Sequence, residues 1–161
     1  MSQLAKYENL LGQPYVEGDH DCYGLLRRYY AQVYELRLRN YARPIDFANR
    51  IDLIVENFTQ EGFVICETSL DQLEQGDGLL FCLNRHKYVN HVGAFVGNGW
   101  MLHHLYERTS CTDALTPSWR QRVVSVLRNP EVTERNKLLQ SSASLLDLLP
   151  PHLKAKYAVP A

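Results

Sequence analysis

Residues 15–26, Tyr-Val-Glu-Gly-Asp-His-Asp-Cys-Tyr-Gly-Leu-Leu, constrain this chain more than any other stretch. A polar, turn-rich segment ends in Cys22, and an apolar pattern of helical period starts directly after it: Leu25, Leu26, Tyr29, Tyr30, Val33, Leu36. This spacing predicts an amphipathic helix with the cysteine in its first turn. Free backbone N–H groups and the positive end of the helix dipole favour negative charge at that position. A thiolate, the nucleophilic form of cysteine, is therefore expected there. Asp21 is placed to cap the helix by accepting one of those N–H groups. Cys22 could equally be a small buried residue under a helix, as most free cysteines are.

A chain of 161 residues suits one domain with a substantial core. Its formal net charge of −1 argues against a nucleic acid as partner. Arg27, Arg28, Arg37 and Arg39 read as the solvated face of the helix. The N-terminus lacks the layout of a secretory signal. No apolar run reaches the ~20 residues of a membrane anchor. Cys22, Cys66, Cys82 and Cys111 show neither C-x-x-C pairs nor zinc-finger spacing. Cys66 and Cys82 lie in apolar, strand-like runs, so a disulfide framework is not expected and a reducing cytosol suits the chain.

Helical patterns are expected over 4–12, 22–38 and 46–60, the last with Phe47, Ile51, Ile54, Val55 and Phe58 on one face. The pattern then changes to short apolar runs at 63–66, 79–83 and 91–96. Gly97-Asn98-Gly99 signals a hairpin turn, and 100–106 reads as the return strand. Residues 107–118 are mixed and polar, and 122–127 reads as a last strand. After Asn129-Pro130 a polar helix over 131–149 carries a leucine stripe, Pro150-Pro151 stops it, and a loosely ordered tail follows. Helices first and then antiparallel strands read as α+β.

His91 opens one hairpin strand and His103 lies on the other. Side chains on one face of a strand repeat every second residue, and cross-strand neighbours lie roughly 5 Å apart. The two imidazoles can meet, with His104 pointing to the opposite face. A nucleophilic cysteine needs a base, a group that orients the base, and donors for the oxyanion. Cys22, His91 and His103 would supply nucleophile, base and orienting group, and N–H groups at the helix start would supply the donors. The competing reading makes all six histidines ordinary, with His20 and His86 in loops and His152 in the tail. Zinc accepts the ligand types of Cys22, His91 and His103, but no close-spaced ligand pair supports a metal site.

Asp21-Cys22-Tyr-Gly-Leu, Leu73-x-x-Gly76-Asp77, His91-Val-Gly-Ala-Phe-Val-Gly-Asn-Gly99 and Met101-Leu-His103 follow one another in order. Together they resemble the NlpC-type cysteine peptidases. Asn90-His91-Val-Gly and Leu102-His-His-Leu-Tyr106 resemble the subgroup encoded among bacteriophage tail-tip assembly genes. The resemblance covers about residues 5–128. It implies a papain-like α+β fold for residues 1–129, with 130–161 a helical extension outside the pattern. It implies cleavage of peptidoglycan stem peptides, usually between the side-chain carboxyl of D-glutamate and a diamino acid, with no cofactor. It implies Cys22 as nucleophile, His91 as base and His103 as the orienting residue. By the same resemblance Tyr15 helps line the oxyanion site and Asp21 contacts the substrate's free amine. The implied place is the phage tail tip, with other tail-tip proteins as partners, made in the host cytoplasm and acting at the cell wall.

Two other uses of the same groups are open. One is a structural or assembly role, as a plug, a hub partner or a processing protease for a tail protein. The other is acyl transfer on lipids or small molecules, which predicts an apolar cleft beside Cys22.

Overall fold

A computed structural model describes residues 6–43, 53–84 and 87–148. Helix α1 (Cys22–Tyr34) packs on one face of a six-stranded antiparallel sheet. The strands are β1 (Val64–Cys66), β2 (Gly78–Phe81), β3 (His91–Gly97), β4 (Trp100–His103), β5 (Cys111–Ala114) and β6 (Val123–Arg128). Their spatial order is β1-β6-β2-β3-β4-β5. Helix α2 (Leu53–Gln60) leads into β1, the one-turn α3 (Pro117–Arg120) links β5 to β6, and α4 (Pro130–Leu148) follows β6. This is the α+β arrangement expected of a papain-like chain.

The period of each element decides what it buries. Leu26, Tyr29, Tyr30 and Tyr34 recur at helical spacing on α1 and are all almost fully buried. They meet Leu80, Val92, Ala94, Val96, Leu102 and Leu127 from the sheet, with Phe58 and Phe63 between. Alternation sends the intervening strand residues to the other face, where Leu79, Phe81, Met101 and Val126 pack with Trp119 and Leu115. The sheet is thus buried on both sides around β2, β3 and β4, which makes the β3–β4 hairpin a rigid platform.

Several expected boundaries shift. The helix over 4–12 is only a 3-10 turn, Glu8–Leu10, among the described residues. Helix α1 stops at Tyr34 rather than 38, because Glu35 takes a left-handed conformation (φ 53°) and the Leu36 N–H returns to the Tyr30 carbonyl. Leu38 is still buried, but as part of an extended strap whose carbonyl accepts from Arg27. Of the helix over 46–60, Leu53–Gln60 is observed, and 46–52 lie outside the described residues. The return strand over 100–106 ends at His103. The stretch 107–118, without a strand signal, holds β5 and the first two residues of α3.

Candidate active site

The loop before α1 is folded around one carboxylate. Asp21 is buried at the N-cap, where its Oδ1 accepts from the Gly24 N–H at 2.6 Å and its Oδ2 from the Gly18 N–H at 2.9 Å. Arg43 adds a two-pronged ion pair, Nε to Oδ2 at 2.8 Å and a terminal nitrogen to Oδ1 at 3.0 Å. The Arg43 guanidinium also lies 5.0 Å from the Tyr23 ring centroid. Gly24 is required here, since a Cβ would stand 1.7 Å from the Asp19 carbonyl oxygen. Cys22 is fixed by this loop as the first residue of α1.

The hairpin brings the two histidines together as expected. Gly93 of β3 faces His103 of β4, so His91, two residues earlier, is its diagonal neighbour on the same face. Having no side chain at Gly93 matters, because even a Cβ there would sit 3.3 Å from the His103 Cβ. His91 Nε2 and His103 Nδ1 are 3.1 Å apart. The opposite nitrogen of His103, Nε2, lies 3.1 Å from Asp113 Oδ2 on β5. Phe81 packs against the His91 ring and Trp119 edge-on against the His103 ring. Both imidazoles are buried.

Burial sets the electrostatics. Desolvation, and next the neighbouring Asp21 carboxylate, push the Cys22 thiol up to about 12. Backbone N–H groups of Val92 and Tyr23 point at the sulfur and pull the other way, but they do not win. The expectation of a resting thiolate at the helix start therefore fails: the carboxylate that caps the helix and the loss of water outweigh the dipole. Desolvation, with smaller contributions from His103 and His104, lowers His91 to about 3. Both groups are therefore neutral near neutral pH, and both line the same cleft. The Val92 N–H contact ties the sulfur to the residue next to His91. His91 Nε2 is taken by His103, so Nδ1 is the ring nitrogen left for a thiol.

Cys22 and His91 line one cleft of about 700 Å³, together with Tyr15, Asn90, His104 and Trp119. Tyr15 packs edge-on against His104 and Tyr106. His104 points away from His103, as alternation requires, and its Nε2 lies 3.0 Å from the Arg108 carbonyl. Tyr15, Asp21 and Cys22 also border a pocket of about 30 Å³ with Arg43, Leu53 and Ile54. Both Asp21 oxygens are already engaged by Arg43 and backbone N–H groups, so a substrate amine would have to share them. His20 sits in the loop before α1, with its Nδ1 3.3 Å from Asp19 Oδ2, while His86 and His152 lie outside the described residues.

Residues 12–128 match the model of the NlpC/P60 family. This chain belongs to the NlpC/P60 family. Among curated proteins it is similar to the Tail tip assembly protein K of Escherichia phage N15, 28% identical over 125 residues, and to that of Escherichia phage lambda, 29% over 122 residues. These alignments cover 76% and 75% of this chain. They cover only 50% and 59% of the two relatives, so the chain spans about half of their length. Among solved structures, the NlpC/P60 domain of the peptidoglycan hydrolase SagA aligns with a TM-score of 0.50 at 18% identity, over 79% of this chain and 96% of that domain. RipD of Mycobacterium tuberculosis, described as a non-catalytic NlpC/P60 domain protein adapted to peptidoglycan binding, aligns with a TM-score of 0.50 at 14% identity, over 78% and 93%. These likenesses establish the shared fold.

Within this NlpC/P60 domain, Asp113 is the residue that sequence reasoning misses. It falls in the polar stretch 107–118, and only the pairing of Met101 with Asp113 carries it to the histidine face. Among the described residues, one group could hold a metal ion: His103, Cys111 and Asp113 offer ligand atoms all within 4.8 Å of one another.

Proposed function

We propose that this NlpC/P60 domain is a cysteine endopeptidase that cleaves peptidoglycan stem peptides, at the bond between the D-glutamate side chain and a diamino acid. Cys22 is the nucleophile, His91 the base and His103 the residue that holds it. The observation that carries this reading is the 3.1 Å contact between His91 Nε2 and His103 Nδ1, which leaves Nδ1 for the thiol of the shared cleft. The Cys22 S–H proton passes to His91 Nδ1 as sulfur attacks the carbonyl carbon. N–H groups at the start of α1 meet the oxyanion. His91 returns the proton to the leaving amine, and water, deprotonated by His91, releases the acid and restores the thiol. Tyr15 borders the oxyanion side of the cleft, and Asp21 orients substrate through its network with Arg43. No cofactor takes part.

The names of the phage relatives support a place at a phage tail tip, with tail-tip proteins as partners and the bacterial wall as target. In this reading residues 1–129 are the peptidase domain and 130–161 an extension to it, of which 149–161 lie outside the described residues. The expected result is that purified protein releases new amino groups from isolated peptidoglycan and that Cys22→Ala abolishes the release. Equal inertness of both proteins on wall, on stem peptides and on tail proteins would sink the enzymatic reading.

The second reading is a structural or assembly role at the tail tip, including cleavage of a tail protein. It is favoured by the non-catalytic RipD, which has the same fold, and by the assembly names of the phage relatives. A phage carrying Cys22→Ala separates the two. Complete tails that inject poorly support wall cleavage, and missing tails support assembly.

A further inference from the structure

We propose that Asp113 is a positioning residue that sets the proton on both histidines and so leaves His91 Nδ1 bare in the cleft that His91 shares with Cys22. The purpose of this device rests on the cysteine-hydrolase reading above, but its geometry does not.

The protons can be followed from the outside inward. Asp113 is about half exposed, and its carboxylate has acceptors only. The His103 nitrogen facing it at 3.1 Å, Nε2, must therefore be the donor. A neutral imidazole has one N–H, so Nδ1 of His103 is then an acceptor. Its partner at 3.1 Å is His91 Nε2, which must supply the hydrogen. His91 then has no proton on Nδ1, the nitrogen that a general base needs free. Both rings are almost fully buried, which disfavours the doubly protonated imidazolium that would break this order.

Nothing in the histidine pair alone makes that choice. Either ring could donate to the other, and the reverse arrangement puts a hydrogen on His91 Nδ1, the nitrogen that the proposed base needs free. Asp113 breaks the tie, and strand pairing is what puts it in reach. Strand β5 pairs with β4 so that Met101 faces Asp113 and His103 faces Cys111, which sets the carboxylate diagonal to His103 on the histidine face. The His103 side chain has no exposed surface, and Trp119 closes its ring edge-on at 5.0 Å. Among the described residues, no other acceptor is hydrogen-bonded to His103 Nε2. An amide at position 113 could instead donate through its NH2, which would drive the whole chain of protons into the unproductive order.

The test reads tautomers directly, on the full chain in the presence of a chelator. Two-bond proton–nitrogen spectra of wild type are expected to show His103 and His91 both protonated on Nε2. In Asp113→Asn a population of His91 with its proton on Nδ1 is expected. Alkylation of Cys22 by iodoacetamide, read peptide by peptide to exclude the other three cysteines, is expected to slow by about 10-fold or more. Asp113→Ala, which has no donor to offer, is expected to show a mixture of the two orders. Wild-type His91 protonated on Nδ1, or unchanged tautomers and alkylation in both variants, would overturn the proposal. Neither readout needs a substrate. Protein inert on peptidoglycan but with these tautomers would retire the hydrolase reading alone, and active protein with the opposite tautomers would retire this proposal alone.

Discussion

At the scale of single residues, the site is governed by desolvation. A surface histidine titrates near 6.5, and His91 is held at about 3 because its ring is enclosed by Phe81 and His103. The ring is therefore neutral at and around neutral pH, and if His91 is the base proposed above, the acid limb of activity should fall below the ordinary histidine range. The same shift links folding to pH. Below about 6.5 the unfolded chain takes up the His91 proton while the folded chain refuses it, so stability falls as pH drops from about 6.5 towards 3. One such group contributes a slope of up to ~1.4 kcal/mol per pH unit. His103 and His104 are lowered too and act with the same sign. We expect His91→Gln to lose part of this slope in urea unfolding curves measured between about pH 7 and pH 5. Parallel slopes for wild type and variant would show that His91 is not held neutral. Asp21 also belongs to this scale. It is both the helix cap and the Arg43 partner, and by sitting beside the thiol it raises the very group that the helix dipole would lower.

At the scale of elements, what matters is how the turn before β2 is locked to β6. Asp77 is buried and accepts Arg128 through both oxygens at 2.8 Å, while its Oδ2 also accepts the Glu74 N–H at 2.7 Å. Tyr30 of α1 donates to the neighbouring Gly76 carbonyl at 2.9 Å. The Gly76-Asp77 part of the motif is thus structural: it pins helix, turn and strand at one point. Asp77→Ala removes both Asp77 bonds to Arg128 and the acceptor of the Glu74 N–H, leaving Glu74 as the ion-pair partner of Arg128, and is expected to cost about 1–3 kcal/mol, whereas Arg128→Met with Asp77→Leu should recover much of it. Chemical denaturation of the single and double variants checks this, and an Asp77→Ala protein as stable as wild type would contradict it. These elements also show what can be read without coordinates. The β3–β4 hairpin is legible because Gly97 and Gly99 take positive φ and apolar runs flank them, and α1 is legible because its tyrosines and leucines keep one period. Strand β5 is not: Cys111-Thr-Asp-Ala is half-buried throughout, with no alternation to betray it. Asp113 is lost with it, since a residue that acts only through a neighbouring strand leaves no local signal.

At the scale of the whole molecule, the question is where the domain ends. The family match stops at residue 128, and α4 starts at Pro130. The first two turns of α4 nevertheless belong to the domain's packing. Val132 is 2% exposed and presses on the Gly76 turn, where a Cβ would meet its Cγ1 at 2.5 Å. Asn136 donates to the Gln75 carbonyl at 2.6 Å, and Arg135 reaches Glu35 just beyond α1 at 3.1 Å. Leu138 and Leu139, by contrast, are 65% and 43% exposed. The start of α4, past the change in composition at Asn129-Pro130, is therefore packed against residues 1–129. Ending the chain after Asn129 removes the burial of Val132, worth roughly 2 kcal/mol. For a domain of this size that is a fall in Tm of about 4–8 °C. Ending it after Lys137 keeps these contacts and should leave Tm within a degree or so of the full chain. Both truncated proteins keep every side chain that lines the cleft, so under the proposed function they should cleave peptidoglycan to the same extent as the full chain. Equal thermal stability after the two cuts would mean that α4 contributes nothing to the fold. Loss of cleavage after the Lys137 cut, with Tm unchanged, would mean that the outer part of α4 serves the active site rather than a partner.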